Sequence, residues 1–396
     1  MLRRRLMEMA CRRGKKQKVE KTAAGDSLLP SVYLVVGHGV TVPAYSVVKV
    51  SPFSDGVRSS DDAPIPIPRH LARLEAKHCM SFVPVRSRHG PWIVGVGGNS
   101  PRDYGPETIV FDTQTQEVIA GPKLLSTKLH PVLLAVGSRI YALSRNPSVK
   151  GEVDFVPWFE VLDLSRAQVV DGRLVGCKWE ELPRPPFFPW ELSPRQYIFP
   201  PWVFVESYVA VDSYILLSIT GQMGTHMFDV KTEEWAKLDE HDLPFTGGAI
   251  PHGPLFIGLS GNTRAITAYK ITVRAPAAPS SSITEGRPSM SIVEFPIVTD
   301  MEAKEVVAGG GRLVSLGNHG FCSFTCSDDD LVLGCFQHTR ELVTMKTYTT
   351  EDQLLSHDYL KSSCYIVVSN QGEQVYSVRD SLRGLTWPCL QDMISL

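Results

Sequence analysis

Three carboxylates sit at matching places in this chain. Asp112, Asp163 and Asp229 each close an apolar, strand-like phrase: Ile109-Val110-Phe111-Asp112-Thr113, Glu160-Val161-Leu162-Asp163-Leu164-Ser165 and Met227-Phe228-Asp229-Val230-Lys231-Thr232. Carboxylates can gather round a metal or share acid–base work. They can equally stay apart, each accepting the amide N–H groups of the turn that follows it. Recurrence at one place in successive units predicts the second role.

A second candidate for chemistry is the group Cys322, Cys326 and Cys335, with His319 and His338 outside them. The Cys-x3-Cys spacing fits some zinc sites, but no second close cysteine pair exists and the segment alternates like a strand. A cysteine on a half-buried strand acts most often as a small apolar residue, so no metal is expected. Gly95-Val96-Gly97-Gly98 is rich enough in glycine to invite a phosphate. It ends a strand within a sheet repeat, whereas a nucleotide fingerprint needs a strand leading into a helix. No Gly-x-Ser-x-Gly elbow, His-Glu-x-x-His or phosphate loop occurs. The expectation is therefore no catalytic residue, no cofactor and no metal.

The elements that would carry these residues are strands. Trp92-Ile93-Val94-Gly95-Val96 runs into the Gly97-Gly98 doublet, followed by Thr108 to Asp112. Val132 to Val136, a turn at Gly137-Ser138 and Arg139 to Leu143 open a further unit. Tyr208 to Val211, Tyr214 to Thr220, Thr225 to Asp229 and Trp235 to Leu238 make another. The Asp-containing phrase returns at roughly 40–65 residues, the spacing of a repeated antiparallel sheet. Two end pairs, Tyr33 to Val50 and Cys364 to Arg379, could complete one sheet together.

Two segments break the pattern. Pro183 to Trp202 holds Pro183, Pro185, Pro186, Pro189, Pro194, Pro200 and Pro201 among Phe187, Phe188, Trp190, Tyr197, Phe199 and Trp202. Proline withholds backbone donors from a sheet, so this reads as a stiffened connection. Ala275 to Ser291, rich in Ala, Pro and Ser, reads as a mobile linker.

With 396 residues, 43% hydrophobic and 21% charged, the chain has apolar side chain enough for one large core. The most apolar stretch, Tyr197 to Ile219, is interrupted by Pro200, Pro201, Glu206 and Asp212, so no membrane span is expected. The net charge of −2 conceals an asymmetry. Residues 1–21 carry nine basic side chains against Glu8 and Glu20, which leaves the remainder acidic and a poor platform for nucleic acid. The densest part, Arg12, Arg13, Lys15, Lys16 and Lys18, reads either as a nuclear import signal or as a solvated tail. No apolar core follows those charges, so a secretory signal is not expected. Nucleus or cytoplasm is the expected location, and the cysteines are expected to be reduced.

An apolar strand ending in Gly-Gly, then an aromatic before Asp with Trp seven positions on, resembles the kelch repeat; Trp92 to Gly98 and Phe228-Asp229 with Trp235 carry it. Position seven after Phe111 is Val118, and after Leu162 it is Val169, so those units lack the aromatic. The phrase Met227 to Trp235, with Leu243-Pro244-Phe245 and Leu255-Phe256-Ile257-Gly258-Leu259, resembles cereal-plant proteins classed as domain of unknown function 1668, which have kelch-like repeats. This resemblance spans Val32 to Arg379 and implies a propeller in a plant intracellular protein, with no assigned catalytic residue to transfer.

The expected fold is all-β: a kelch-like β-propeller of six four-stranded blades, with five or seven as alternatives, its ring closed by pairing of the N- and C-terminal strands. A disordered basic arm (1–30), the propeller (31–380) and a C-terminal tail (381–396) are the expected divisions. Trp235 is the expected core anchor. The expected function is a monomeric, non-enzymatic scaffold for a protein partner. A propeller enzyme with its site at the central channel and a substrate adaptor for ubiquitin ligation are the alternatives. The residues before Val32 are too few for a three-helix F-box. Phe187, Phe188, Trp190, Tyr197, Phe199 and Trp202 are the candidate contacts, unless the first three fold back over a sheet end.

Overall fold

The computed structural model describes residues 31–38, 43–53, 64–99, 105–150, 153–188, 192–274, 288–299, 306–307, 311–317, 320–328, 340–350, 364–379 and 389–396. The basic arm, including Arg12, Arg13, Lys15, Lys16 and Lys18, lies outside the described residues, as does Trp190.

In chain order the strands are β1 (Val32–His38), β2 (Ala44–Val50), β3 (Ile65–Pro66), β4 (Ala72–Glu75), β5 (His78–Ser87), β6 (Gly90–Asn99), β7 (Thr108–Asp112) and β8 (Val118–Ala120). Then come β9 (Val132–Val136), β10 (Arg139–Leu143), β11 (Phe159–Asp163), β12 (Gln168–Val170), β13 (Arg173–Val175) and β14 (Trp179–Glu181), followed by helix α1 (Pro194–Ile198). After it run β15 (Val205–Val211), β16 (Tyr214–Ile219), β17 (Gln222–Asp229), β18 (Glu234–Asp239), β19 (Phe245–His252), β20 (Leu255–Ser260), β21 (Ile266–Arg274) and β22 (Ser289–Val298). The last are β23 (Arg312–Ser315), β24 (Gly320–Asp328), β25 (Arg340–Thr349), β26 (Ile366–Val367), β27 (Ser369–Arg379) and β28 (Cys389–Ser395).

The all-β class holds, but the predicted six four-stranded blades in a closed ring do not. Among the described residues, hydrogen bonding makes five sheets: β28-β1-β2-β4, β14-β11-β10-β9, β12-β13-β8-β7-β6-β5, β18 to β15 joined to β19 to β22 and β26, and β23-β24-β25-β27-β3. Only the first two have four strands, and no sheet closes into a ring. Short parallel contacts cause the difference. Ser207 and Tyr208 pair with Gly247 and Gly248, fusing two antiparallel meanders into one nine-stranded sheet. One parallel pair likewise attaches β13 to β8, and two attach β3 to β27.

β1 pairs with β28, and Ser31 and Leu396 exchange N–H···O bonds of 3.2 and 3.1 Å. That pairing strand comes from the stretch read as a tail.

Continuously apolar strands arise because each face meets a different core. In β10, Ile140 and Ala142 pack with Trp92, Val94 and Trp179, while Tyr141 and Leu143 pack with Phe159 and Phe228. In β16, Ile215, Leu217 and Ile219 join that second core and Leu216 faces Phe245 and Tyr269. Between sheets the contact is side-by-side packing: β28 lies against β5 and β23, β5 against β9, β9 against β15, and β19 against β23.

Two buried titratable groups give the fold a pH signature. His252 is buried with its Nε2 3.2 Å from Thr350 Oγ1, and burial pushes its pKa down to about 4. Its contribution to stability is therefore complete above the ordinary value of 6.5 and lost as pH falls toward 4. Asp154 has the opposite sign. Burial raises its carboxyl from 3.8 to about 6, so its contribution is complete below 3.8 and lost as pH rises through 6. In urea titrations from pH 7 to 4, His252→Gln is expected to lose less stability than the native chain, and Asp154→Asn to lose more. Parallel curves for all three proteins would refute both assignments.

Candidate functional site

The three aspartates are turn caps. Asp112 Oδ1 accepts from Gln114 and Thr115 N–H at 2.8 and 3.1 Å, while its Oδ2 takes the Trp92 indole N–H at 2.9 Å. Asp163 and Asp229 accept from Ser165 and Lys231 N–H, each at 2.8 Å. The glycine doublet is a close-approach device. Gly97 and Gly98 have φ of 92° and 83° and donate to Glu107 and Lys128 carbonyls at 2.8 and 2.6 Å. A Cβ on Gly97 would stand 2.6 Å from the Lys128 oxygen, so both amides are committed to the chain itself.

Cys322 is a buried thiol on β24, 3.6 Å from Thr347 Oγ1, and burial pushes its pKa up to about 12. Cys326, on the same strand, is exposed; His319, Cys335 and His338 lie outside the described residues. No cluster of three or more metal-ligating side chains occurs among the described residues.

The proline-rich connection divides in two. Phe187 and Phe188 are buried in the core around Phe228, where their rings meet edge to face at 4.8 Å. Trp235 is half-buried rather than a core anchor. Its indole N–H donates to the Pro183 carbonyl at 2.9 Å, and its ring covers Phe228, Phe159 and Phe187 at 5.0, 5.5 and 5.2 Å. Phe228, fully buried, is the anchor beneath it.

Beyond that core, Ser193 caps α1 through a capping box with Gln196, and the chain turns its apolar groups outward. Tyr197, Ile198, Phe199 and Trp202 are 52, 67, 72 and 76% exposed. Trp202 meets the ring of Phe204 at 6.3 Å just before β15 begins. β15 begins where β16 ends and β17 begins, as the pairs Val205↔Ile219 and Ile219↔Gln222 establish. Met223, 78% exposed, stands at that same end. Val205 N–H bonds Arg145 O at 3.0 Å, and Ser144 N–H bonds Trp158 O at 2.8 Å. Phe155 and Val156 belong to that edge, and Leu125 is tied to it through the Ser126 hydroxyl on the Phe155 carbonyl at 2.7 Å. All three are exposed. Exposed apolar side chains from four separate segments thus share one end of the fold.

Beside this apolar end lies a charged centre. Arg145 holds its guanidinium 5.8 Å from the rings of both Phe204 and Tyr208 and donates to Tyr208 Oη at 3.3 Å. Its Nε is buried with no hydrogen-bond acceptor among the described residues. Asp392 on β28 accepts from Phe82 N–H of β5 at 3.0 Å and from Arg312 of β23 at 3.5 Å. Burial raises the Asp392 carboxyl while the Arg312 guanidinium opposes the rise. His130, before β9, is held below its ordinary value by desolvation and by the charges of Arg145 and Arg312. The ring is thus neutral at pH 7. Among the described residues, Arg145, Arg312, His130 and Asp392 thus meet at one polar centre.

Arg145, Tyr208, Arg312 and Asp392 escaped the sequence reading because no motif joins residues so far apart. One signal was present. The Gly247-Gly248 doublet marks the close approach at which a Cβ on Gly248 would stand 2.8 Å from the Tyr208 ring.

The observations define an all-β protein with a polar centre and an apolar end. Residues 29–376 match the family described as Protein of unknown function (DUF1668), and the chain belongs to that family. No curated protein matches it in sequence. Solved structures give a weak resemblance to β-propeller and WD40 folds. The β-propeller domain of Myceliophteria thermophila Cps50 (Swd1) is 10% identical, with 80% of this chain and 82% of that one covered at a TM-score of 0.33. The WD40 domain of SCAP from fission yeast is 9% identical, covering 86 and 72% at 0.29. Citrobacter koseri AztD is 11% identical, covering 93 and 98% at 0.29. Among the described residues no helix is long and apolar enough to cross a membrane.

Proposed function

We propose that this protein is a non-enzymatic scaffold that binds a protein partner through the end carrying Tyr197, Ile198, Phe199 and Trp202. The observation that carries the reading is the exposure of these four apolar side chains within six residues, beside Met223, Leu125, Phe155 and Val156 from other segments. Folded chains seldom leave such groups together in water unless another surface covers them. Large aromatic side chains on a proline-stiffened loop lose little entropy when they dock, which suits them to anchor an interface.

The double substitution Phe199→Ser with Trp202→Ser tests this reading. Both residues are exposed, so stability is expected to stay within about 0.5 kcal/mol of the native chain. Affinity purification with quantitative mass spectrometry is expected to show recovery of the specific partner falling about tenfold or more. Undiminished recovery by the stable double variant would reject this end as the interface.

A further inference from the structure

A cavity of about 510 Å³ opens in the seam between the sheet holding β1 and β2 and the sheet holding β27. A strap of residues 64–71 bridges the two sheets over it. Ile67 N–H bonds the Ser377 carbonyl of β27 at 3.2 Å, and Leu71 N–H bonds the Val47 carbonyl of β2 at 2.7 Å. Pro64, Pro66 and Pro68 line the cavity from this strap, and their fixed φ gives it a stiff roof.

The floor is one face of the β1–β2 hairpin. Val36 pairs with Ser46 and Leu34 with Val48, so Val36, His38, Ser46 and Val48 point the same way. The same face, nearer Val32 and Val50, packs tightly against Phe324, Val343 and Met345. The cavity is thus the unfilled end of an otherwise close-packed core, a volume far above the water-sized voids that protein interiors ordinarily keep.

Its chemistry is asymmetric. Val36, Val48, Ile67 and Val378 make apolar walls. Buried into one side is a polar pair, His38 Nε2 and Ser46 Oγ 2.8 Å apart. Arg69 and His70 stand on the strap, and no acidic side chain is among the described lining residues. Apolar walls with a few convergent polar groups and an exposed cation are what a small amphipathic anion requires.

We propose that this cavity is a binding site for a small organic carboxylate with an aromatic or alicyclic body. The body fills the space between Val36, Val48, Ile67 and Val378, and the carboxylate meets Arg69, with the His38–Ser46 pair supplying polar contact at depth. This site is separate from the apolar end that carries Trp202, and neither assignment depends on the other.

The full-length protein would be titrated by calorimetry with benzoate, cinnamate and 1-naphthoate, and with the primary amide of each. At least one acid is expected to bind saturably at a single site and to raise the melting temperature, with its amide about tenfold weaker or more. Val48→Trp, which places an indole inside the cavity, is expected to abolish binding. Arg69→Ala, at an exposed position that leaves the core intact, is expected to weaken the acid to the level of its amide. Trp202→Ser is expected to change nothing. Absence of binding by all three acids, equal affinity for acid and amide, or full affinity in Arg69→Ala would overturn the proposal.

Discussion

Lys128→Met is expected to destabilise the chain by about 3–5 kcal/mol, the cost of leaving one member of a buried ion pair alone. Lys128 and Glu160 are both wholly shielded from water. The Lys128 ammonium donates to the Glu160 carboxylate and to the Ser126 and Pro157 carbonyls, the latter two at 3.1 and 2.8 Å. Glu160 in turn accepts from Leu125 and Ser126 N–H at 2.8 and 3.2 Å. The pair therefore fastens the connection after β8, which also makes the isolated parallel bridge Thr127↔Val153, onto β11.

Methionine matches the length of lysine but returns none of these bonds, so a buried carboxylate and two carbonyls lose their partner. Adding Glu160→Gln removes the stranded charge while keeping an acceptor for one of the two amides, which bond different carboxylate oxygens. Lys128→Met with Glu160→Gln is therefore expected to recover much of the loss, a coupling that urea denaturation of the three variants would measure. A loss under about 1 kcal/mol for Lys128→Met would mean that the charges are not truly desolvated.

Trp92→Ala is expected to cost a similar amount, about 3–5 kcal/mol, and more than Trp235→Ala. Trp92 is fully buried between Val94, Val110, Ile140 and Trp179, with His89 stacked on its ring at 5.6 Å and its N–H on Asp112. Truncation opens a large cavity and also removes a donor from a turn-capping carboxylate. Trp235 is half-buried over its cluster and keeps part of its ring in water, so less apolar area is returned on truncation. Denaturation of the two variants side by side decides the order; Trp235→Ala as the costlier change would restore it as the anchor.

That reversal shows what local pattern conveys. β9 and β10, with the turn at Gly137-Ser138, stand where alternation and turn residues put them, since a hairpin is specified by its own residues. The three aspartates were legible for the same reason: the bond each makes lies two or three residues along the chain. Depth was not legible. Phe228 and Trp235 are cross-strand aromatic partners, and of the neighbouring sheet's rings Phe159 touches both while Tyr141 packs on Phe228.

Sheet membership fails for a related reason. Parallel contacts such as Ser207 with Gly247 join residues forty apart through backbone alone, without a side-chain signature. β28 was missed because Cys389–Ser395 is short and mixed in polarity, and its pairing partner lies at the other end of the chain. The candidate contacts split similarly. Phe187 and Tyr197 look alike in sequence, but one reaches the Phe228 core and the other is held outward by the capped turn of α1.

The central claim is that the Trp202 end touches a protein partner. Its most direct test is a photo-crosslinking residue, p-benzoylphenylalanine, placed at Trp202, compared with the same residue at Val293, which is exposed mid-strand on β22. The account predicts that irradiation in cells joins one defined partner to position 202 and joins none to position 293. The same adducts at both positions, or no protein adduct at 202, would contradict it.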